Sequence, residues 1–490
     1  MRHRLLLLLP ALQEVLADDF RVIKYSLFPP LGLLTLAGLT PEDRYDITVR
    51  DDNVEPTRLC DDFDLVGMTV YSSSARRAYA LADQYRRRGA KVVLGGLHPT
   101  ALPEEAARHA DAVCIGPGEP VWPDILRDFE RNSLSKFYRA SSQGSVSLTG
   151  IPRRDLMNSR FYLTPNTMVT SRGCPHACEF CYKARFWGRH FYRRRPLADI
   201  ERELASFRGG AVFILDDNFL GHVRQAREVL PLLRASGLVW QAGASLDVVR
   251  DPSLLDEAYD AGCRSLFMGF ESLLPDNMRR AHKLVNFSAD YRDVIRRVHD
   301  SGIMINGSFM FGFDQDSPDV FERTVDFAVD NRLETATFHI LTPFPGTRAF
   351  DRLDAEGRIL HRDWSRYDAH HAVFRPRRMS VPQLEEGYRR AYSDFYTFGS
   401  ILHRSLGTRG AVKRVLYNLG WKRTDRLWSA AIHLGLLPFI RPVFESVLAR
   451  HTRPRLARQP EGEGAAPHAA PAGSRNPSSL LLNPPPEAQY

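Results

Sequence analysis

Three cysteines stand close together in the run Ser171-Arg172-Gly173-Cys174-Pro175-His176-Ala177-Cys178-Glu179-Phe180-Cys181-Tyr182, at C-x3-C-x2-C spacing. Thiolates hold iron-sulfur clusters, and a four-iron cluster ordinarily takes four of them, one for each iron. This loop supplies three. One iron is then left for an outside ligand, much as a catalytic zinc site keeps a position that a structural site closes. Two other readings stay open on these residues. Cys174, Cys178 and Cys181 with His176 or His190 could form a Cys3His zinc site in a nucleic-acid-binding protein, or the three could be unligated core residues. Three of the chain's six cysteines within eight positions argue against the last. The others, Cys60, Cys114 and Cys263, are scattered, and Cys114 and Cys263 sit in or beside apolar runs that suit buried small side chains.

With Tyr182 directly after Cys181, the loop resembles the cluster loop of the radical S-adenosylmethionine (SAM) superfamily. The resemblance implies a 4Fe-4S cluster on Cys174, Cys178 and Cys181, with the amino and carboxylate groups of SAM on the open iron and Tyr182 among the SAM contacts. One electron from an external donor such as flavodoxin or ferredoxin would cleave the sulfonium to a 5'-deoxyadenosyl radical.

Such a loop needs a scaffold, and the chain reads as alternating strands and helices, the pattern of parallel sheets covered on both faces. Over residues 1–135 the expected strands are 5–9, 46–49, 65–70, 91–94 and 112–115, and the expected helices 31–39, 75–88, 103–109 and 120–131. Sheets of this kind bind ligands beyond the carboxyl ends of their strands. Those ends carry Tyr71-Ser72-Ser73-Ser74, Gly95-Gly96-Leu97-His98-Pro99-Thr100 and Gly116-Pro117-Gly118-Glu119. No G-x-G-x-x-G fingerprint occurs among them, which disfavours a dinucleotide.

Together with Pro29-Pro30-Leu31-Gly32-Leu33 and the cluster loop, these turns resemble the cobalamin-binding domain joined to many radical SAM enzymes. The resemblance implies cobalamin contacts at Ser72, Ser73, Gly95, Gly96, His98, Gly116, Gly118 and Glu119. The absence of a D-x-H-x-x-G motif gives no support for a histidine on cobalt, and His98 reads as a turn residue meeting the corrin or the backbone. A vestigial sheet that serves only for docking is the alternative, since a fold alone never proves a ligand.

A connector is expected over 136–165. Six further strands, 167–170, 211–215, 240–244, 265–270, 304–311 and 335–341, match the partial (β/α)6 barrel of the radical SAM superfamily, placed at 166–348. Barrel chemistry sits at the carboxyl strand ends. There Asp216-Asp217-Asn218 could chelate, act as acid and base, or cap a helix; the resemblance assigns SAM contacts to Asp217 and Asn218. Phe267-Met268-Gly269-Phe270-Glu271-Ser272 offers a glycine for close approach and a carboxylate able to accept both ribose hydroxyls, and the resemblance gives that role to Glu271. Ser308, in Asn306-Gly307-Ser308-Phe309-Met310, is a further SAM candidate. No catalytic acid or base is assigned, and the pair His370-His371 reads equally as a polar surface or a proton shuttle.

A helical extension over 349–451 is expected to close the barrel mouth, with a disordered tail over 452–490, where Pro, Ala, Gly and Ser accumulate. The net charge is +8, with basic residues at Arg185, Arg189, Arg193, Arg194 and Arg195 and again at Arg404, Arg409, Lys413, Arg414, Lys422, Arg423 and Arg426. That excess suits a solvated face, an anionic substrate or a peripheral membrane contact. The short run Leu5–Leu9 is followed by Glu14, Asp18 and Asp19, which argues against a signal peptide, and scattered cysteines suit the reducing cytoplasm.

The expectation is an α/β protein with an N-terminal doubly wound sheet followed by a partial barrel. It would be a cobalamin-dependent radical SAM enzyme, a methyltransferase acting on a non-nucleophilic carbon of a small molecule or lipid in a biosynthetic pathway, without a nucleic-acid partner. Radical dehydration, or ring formation or contraction without methyl transfer, is the alternative chemistry. The zinc-containing nucleic-acid-binding protein is the alternative class.

Overall fold

The leucine run at the amino terminus forms strand β1 (His3–Leu9), whose Leu5 to Leu8 are wholly buried. A strand covered on both faces needs such a continuous apolar run. It pairs in parallel with β2 (Tyr45–Asp51) on one side and β3 (Leu65–Thr69) on the other. Then come β4 (Lys91–Gly95), β5 (Ala112–Ile115) and β6 (Phe137–Arg139), giving the order β2-β1-β3-β4-β5-β6. The order reverses between β1 and β3, and ligands of open α/β sheets bind over such a switch point. Helices Leu31–Gly38 and Trp122–Glu130 cover one face and Ala75–Arg87 the other.

In the computed structural model the described residues are 2–12, 27–57, 61–140, 150–183, 186, 192–207, 209–406, 411–422, 430–432 and 434–449. Cys60, Arg185, Arg189, His190 and the tail from 452 onward lie outside them.

The second sheet contains β7 (Thr167–Met168), β10 (Ala211–Ile214), β11 (Val239–Ala244), β12 (Cys263–Glu271), β13 (Met304–Phe311) and β14 (Thr335–Ile340), all parallel. The spatial order β14-β13-β12-β11-β10-β7 follows the chain, the arrangement of an open barrel wall. Ile305, Phe309 and Phe311 of β13 are buried beneath the helix Val320–Asp330, so Asn306, Ser308 and Met310 occupy the opposite, lumen face. Between β7 and β10 a short antiparallel pair, β8 (Ser171–Arg172) with β9 (Arg193–Arg194), ties together the two ends of the cysteine loop.

Two expectations are corrected. The segment assigned to a connector from 136 opens with β6, which extends the first sheet; three residues are too few for an alternation signal to register. The extension from 349 is more than a barrel cover. Trp364, Tyr367 and Val373 are buried in the core of the first sheet's helical layer, where the Trp364 indole donates to Glu105 at 3.1 Å. At the other edge, Tyr392 and Tyr396 satisfy backbone groups of β14: the Tyr392 hydroxyl accepts from Phe338 N at 3.1 Å and the Tyr396 hydroxyl donates to Ala336 O at 3.0 Å. This blunts an edge that would otherwise invite pairing. Among the described residues no helix is long and apolar enough to cross a membrane.

Candidate active site and cofactor cavity

The cysteine loop is fixed on both flanks. On its amino side the buried Asp216 carboxylate accepts from Thr170 N at 2.6 Å, Thr170 Oγ1 at 2.5 Å and Ser171 Oγ at 2.6 Å. Asp216 is thereby spent on structure. The next residue turns to the loop: Asp217 accepts from Gly173 N at 2.8 Å and pairs with Lys183 Nζ at 2.8 Å. On the carboxyl side Ala349 N donates to Glu179 O at 3.0 Å, and Arg352 donates to the Glu179 carboxylate at 2.9 Å. Arg348 also donates to the carbonyl of Ala177.

Burial raises all three thiols above their ordinary range, Cys178 to about 12. Lysines oppose this, Lys283 at Cys178 and Lys183 at Cys174 and Cys181. Burial would lower Lys183, but Asp217, Tyr182 and Cys181 outweigh it and hold the amine above its usual value. Thiols in such surroundings keep their protons until a metal displaces them. Among the described residues no three His, Cys, Asp or Glu side chains converge on a point for a single metal ion. A cubane does not need that convergence, because each thiolate takes a different iron.

Glu271 closes β12 with a left-handed backbone, φ 62°, where the register with β13 shifts between Gly269 and Glu271. Strained positions of this kind cluster at functional sites. Its carboxylate meets Lys283 Nζ at 2.5 Å, and Lys283 also donates to Gly269 O at 2.8 Å. A Cβ at residue 269 would lie 2.3 Å from the Glu271 carboxylate, so the pair needs that glycine. Asn286 and Tyr291 donate to the Phe270 carbonyl at 2.7 and 3.0 Å and steady the strand end.

A cavity of about 530 Å³ opens over the carboxyl ends of the first sheet. Gly95, Gly96, Gly116, Gly118 and Glu119 line it from the turns that the sequence singled out. Val169, Arg172, Tyr182, Leu215 and Asp217 line it from the barrel. Arg172 donates to Glu119 at 3.3 Å, one ion pair joining the two walls. Tyr71 and Tyr182 keep 42% and 37% of their surface open, and both line the cavity.

A B12-binding domain model matches residues 24–126 and a radical SAM superfamily model residues 168–328. The bacteriochlorophyllide d C-12(1)-methyltransferase of Chlorobaculum tepidum is 31% identical over 417 residues, 83% of this chain and 90% of that one. The chain belongs to the cobalamin-dependent radical SAM methyltransferases. The hopanoid C-2 methylase of Rhodopseudomonas palustris is 26% identical over 354 residues, 69% of this chain and 66% of that one. The radical SAM methyltransferase TsrM from Kitasatospora setae, solved with cobalamin and a [4Fe-4S] cluster bound, superposes with a TM-score of 0.61 at 15% identity, covering 91% of this chain and all of that one, and so shares the fold.

The cofactors of this radical SAM methyltransferase are the cluster, SAM and cobalamin, and the residues present fit them. A Cβ on Gly32 would meet nothing within 4 Å, while one on Gly96 (φ 101°) would lie 2.9 Å from Val70 N. Gly96 is thus required by the close approach of its turn to the end of β3, while Gly32 leaves open space at the cavity wall that a bound cofactor could occupy. Three expected contacts do not line it. His98 is fully buried elsewhere, 3.3 Å from Ser72 Oγ and 3.2 Å from Glu105, with its ring edge-on to Trp364. Ser72 and Ser73 are likewise absent from the lining, because the turn after β3 winds into a short helix that directs Ser72 toward His98. Among the described lining residues there is no histidine.

On the barrel side Tyr182 and Asp217, which the sequence grouped with SAM, line this same cavity. Asn218 is turned aside: its amide donates to Ser245 Oγ at 2.8 Å and accepts from Ser245 N at 3.1 Å. Ser308 is buried on the lumen face of β13, in register with Gly269. His371 pairs with Asp368 at 2.7 Å and His370 stacks on Tyr388. Sequence reasoning passed over Gly32, Asp51, Tyr71, Arg172 and Lys283. Gly32, Tyr71 and Arg172 stood within quoted runs without being singled out; Asp51 and Lys283 carry no local signal, because their roles arise between elements distant in the chain.

Proposed function

We propose that the chain transfers a methyl group to an unactivated carbon of an apolar small molecule or lipid. The observation that supports this most is the shared cavity: its floor is the strand ends of the B12-binding sheet and its opposite wall is the cysteine loop with Tyr182 and Asp217. When bound, cobalamin carries a methyl group and SAM supplies both that group and a hydrogen-abstracting radical. The chain's part is to position. Cys174, Cys178 and Cys181 hold iron, Glu271 with Lys283 offers a charged pair to the ribose, and Ser308 stands on the lumen wall. Phe267, exposed on β12, and Met310 on β13 give the lumen apolar surface for the substrate. Electrons come from an external one-electron donor such as flavodoxin or ferredoxin, in the reducing cytoplasm that an oxygen-sensitive cluster requires.

The test is turnover of anaerobically reconstituted protein with SAM and a one-electron reductant, using bacteriochlorophyllide d and a hopanoid as trial substrates. Methyl transfer produces S-adenosylhomocysteine alongside 5'-deoxyadenosine and a product one methylene heavier. 5'-Deoxyadenosine with a converted substrate but no S-adenosylhomocysteine would instead indicate radical dehydration or ring chemistry.

A further inference from the structure

A small recess adjoins the cofactor cavity on its barrel side. It measures about 20 Å³ and shares Leu31, Glu119, Val169 and Arg172 with the cavity wall, while Arg195 and Glu203 line the recess but not the cavity. That is room for one oxygen-sized group, since a single water needs about 10 to 15 Å³.

Arg195 is fixed in place there. Its backbone N donates to Thr170 O at 2.9 Å, and its Nη1 donates to Val169 O at 3.1 Å and to the Glu203 carboxylate. The side chain is only 4% exposed, yet Nε and Nη2 have no hydrogen-bond partner among the described residues. Buried donors in this state are rare in folded chains, because each costs the desolvation of a polar group with nothing in return.

The charges around the recess do not balance either. Arg154 donates to the same Glu203 carboxylate, so two guanidinium groups share one anion. Arg172 and Glu119 offset each other at 3.3 Å, and Asp199, one turn before Glu203, pairs with Arg202 at 3.0 Å. One buried positive charge is left over. A guanidinium does not shed its proton, and a buried charge is costly unless it is paired. Water in the recess would satisfy the N–H groups and leave the charge.

The cofactor of the adjoining cavity carries the missing anion. The peripheral arms of the corrin are neutral amides, and the one anionic group at the periphery of cobalamin is the phosphodiester of its nucleotide loop. We propose that Arg195 is the counter-charge for that phosphodiester, one oxygen of which enters the recess. Arginine suits the task, because its planar fork offers two N–H groups to a phosphate once Nη1 is engaged elsewhere. The inference rests on the cavity as the seat of cobalamin and is independent of which substrate is methylated.

The test is equilibrium dialysis of the reconstituted protein against hydroxocobalamin, cobinamide and cobinamide methyl phosphate, the last of which keeps a phosphodiester but lacks the ribose and base. The parent protein is expected to hold cobinamide methyl phosphate about tenfold to a hundredfold more tightly than cobinamide, the range for a hydrogen bond to a charged group. Arg195→Gln should abolish that preference and weaken hydroxocobalamin by the same factor, while cobinamide affinity and iron content stay unchanged. Arg195→Lys should restore part of the preference. Equal binding of cobinamide and cobinamide methyl phosphate by the parent overturns the proposal without any variant, and a preference for hydroxocobalamin alone would assign the affinity to its base. A preference that persists in Arg195→Gln overturns it as well. Protein that retains no cobalamin at all removes the cavity as the cofactor's seat and the proposal with it.

Discussion

Glu271 combines a left-handed backbone, a buried ion pair with Lys283 and a position at the end of a lumen strand. A carboxylate that only stabilised the fold would not need that backbone strain. Glu271→Gln keeps the shape and removes the charge, and SAM affinity measured by equilibrium dialysis should fall about tenfold to a hundredfold, the range for a hydrogen bond to a charged group. Iron content should stay near normal, since Glu271 is not among the thiolates. Glycine positions divide in the same way. A side chain at Gly95 would press on Cys114 Cβ at 3.3 Å, and one at Gly116 would sit at φ 86°, so changes at either disturb the fold as well as the cavity. Gly32 has neither constraint. Gly32→Trp should leave melting unchanged and lower the cobalamin retained through gel filtration about tenfold or more, because the indole takes space that the ligand needs.

The end of β2 shows how an element sets local chemistry. Asp51 lies buried at the cavity edge and accepts from Asn53 N at 3.0 Å, Asn53 Nδ2 at 2.8 Å and Tyr162 OH at 3.0 Å. Burial raises its carboxyl to about 6 from 3.8, with those hydrogen bonds opposing. The folded chain therefore holds a proton that the unfolded chain has released. This contribution to stability is complete below about pH 4 and is lost as pH rises through 6, a change of about 3 kcal/mol for a shift of this size. Urea midpoints of the apoprotein measured from pH 4 to 7 should carry that slope, and Asp51→Asn should flatten it. The cysteine loop gains its shape in a comparable way, from a strand-end pair, Asp216 and Asp217, on one flank and the helix Arg348–Ala355 on the other.

Over the whole molecule, the chain's return to its first sheet ties the two halves together. Trp364 is buried against His98, Phe350 and Tyr367 and hydrogen-bonds Glu105, 259 residues earlier. Trp364→Ala should cost about 3 to 5 kcal/mol, the usual price of a large core truncation, seen as a lower melting midpoint. It should also loosen cobalamin, whereas iron retention, governed by the loop's own latches, should change less. A variant that melts early yet keeps cobalamin as tightly as the parent would show that this contact does not support the cavity.

Much of this could be read from the sequence because it is local. Three thiolates at C-x3-C-x2-C spacing are a covalent fact of one loop, and the alternation of apolar runs with turn residues marks the parallel strands of both sheets within a residue or two. The turns at Gly95-Gly96 and Gly116 to Glu119 could be placed because a strand's carboxyl end is defined by its own residues. Tertiary structure decided where side chains point. His98 follows the same turn as Gly96 yet is buried on Glu105 and Trp364, and Asn218 adjoins Asp217 yet bonds Ser245. Lys283 lies twelve residues after Glu271 and reaches it only because the chain folds back across the end of β12. β6 and the Trp364 return were hidden for the same reason. Pairing with an edge or filling a distant core leaves no periodic trace in the segment that does it, since the partner supplies the complementarity.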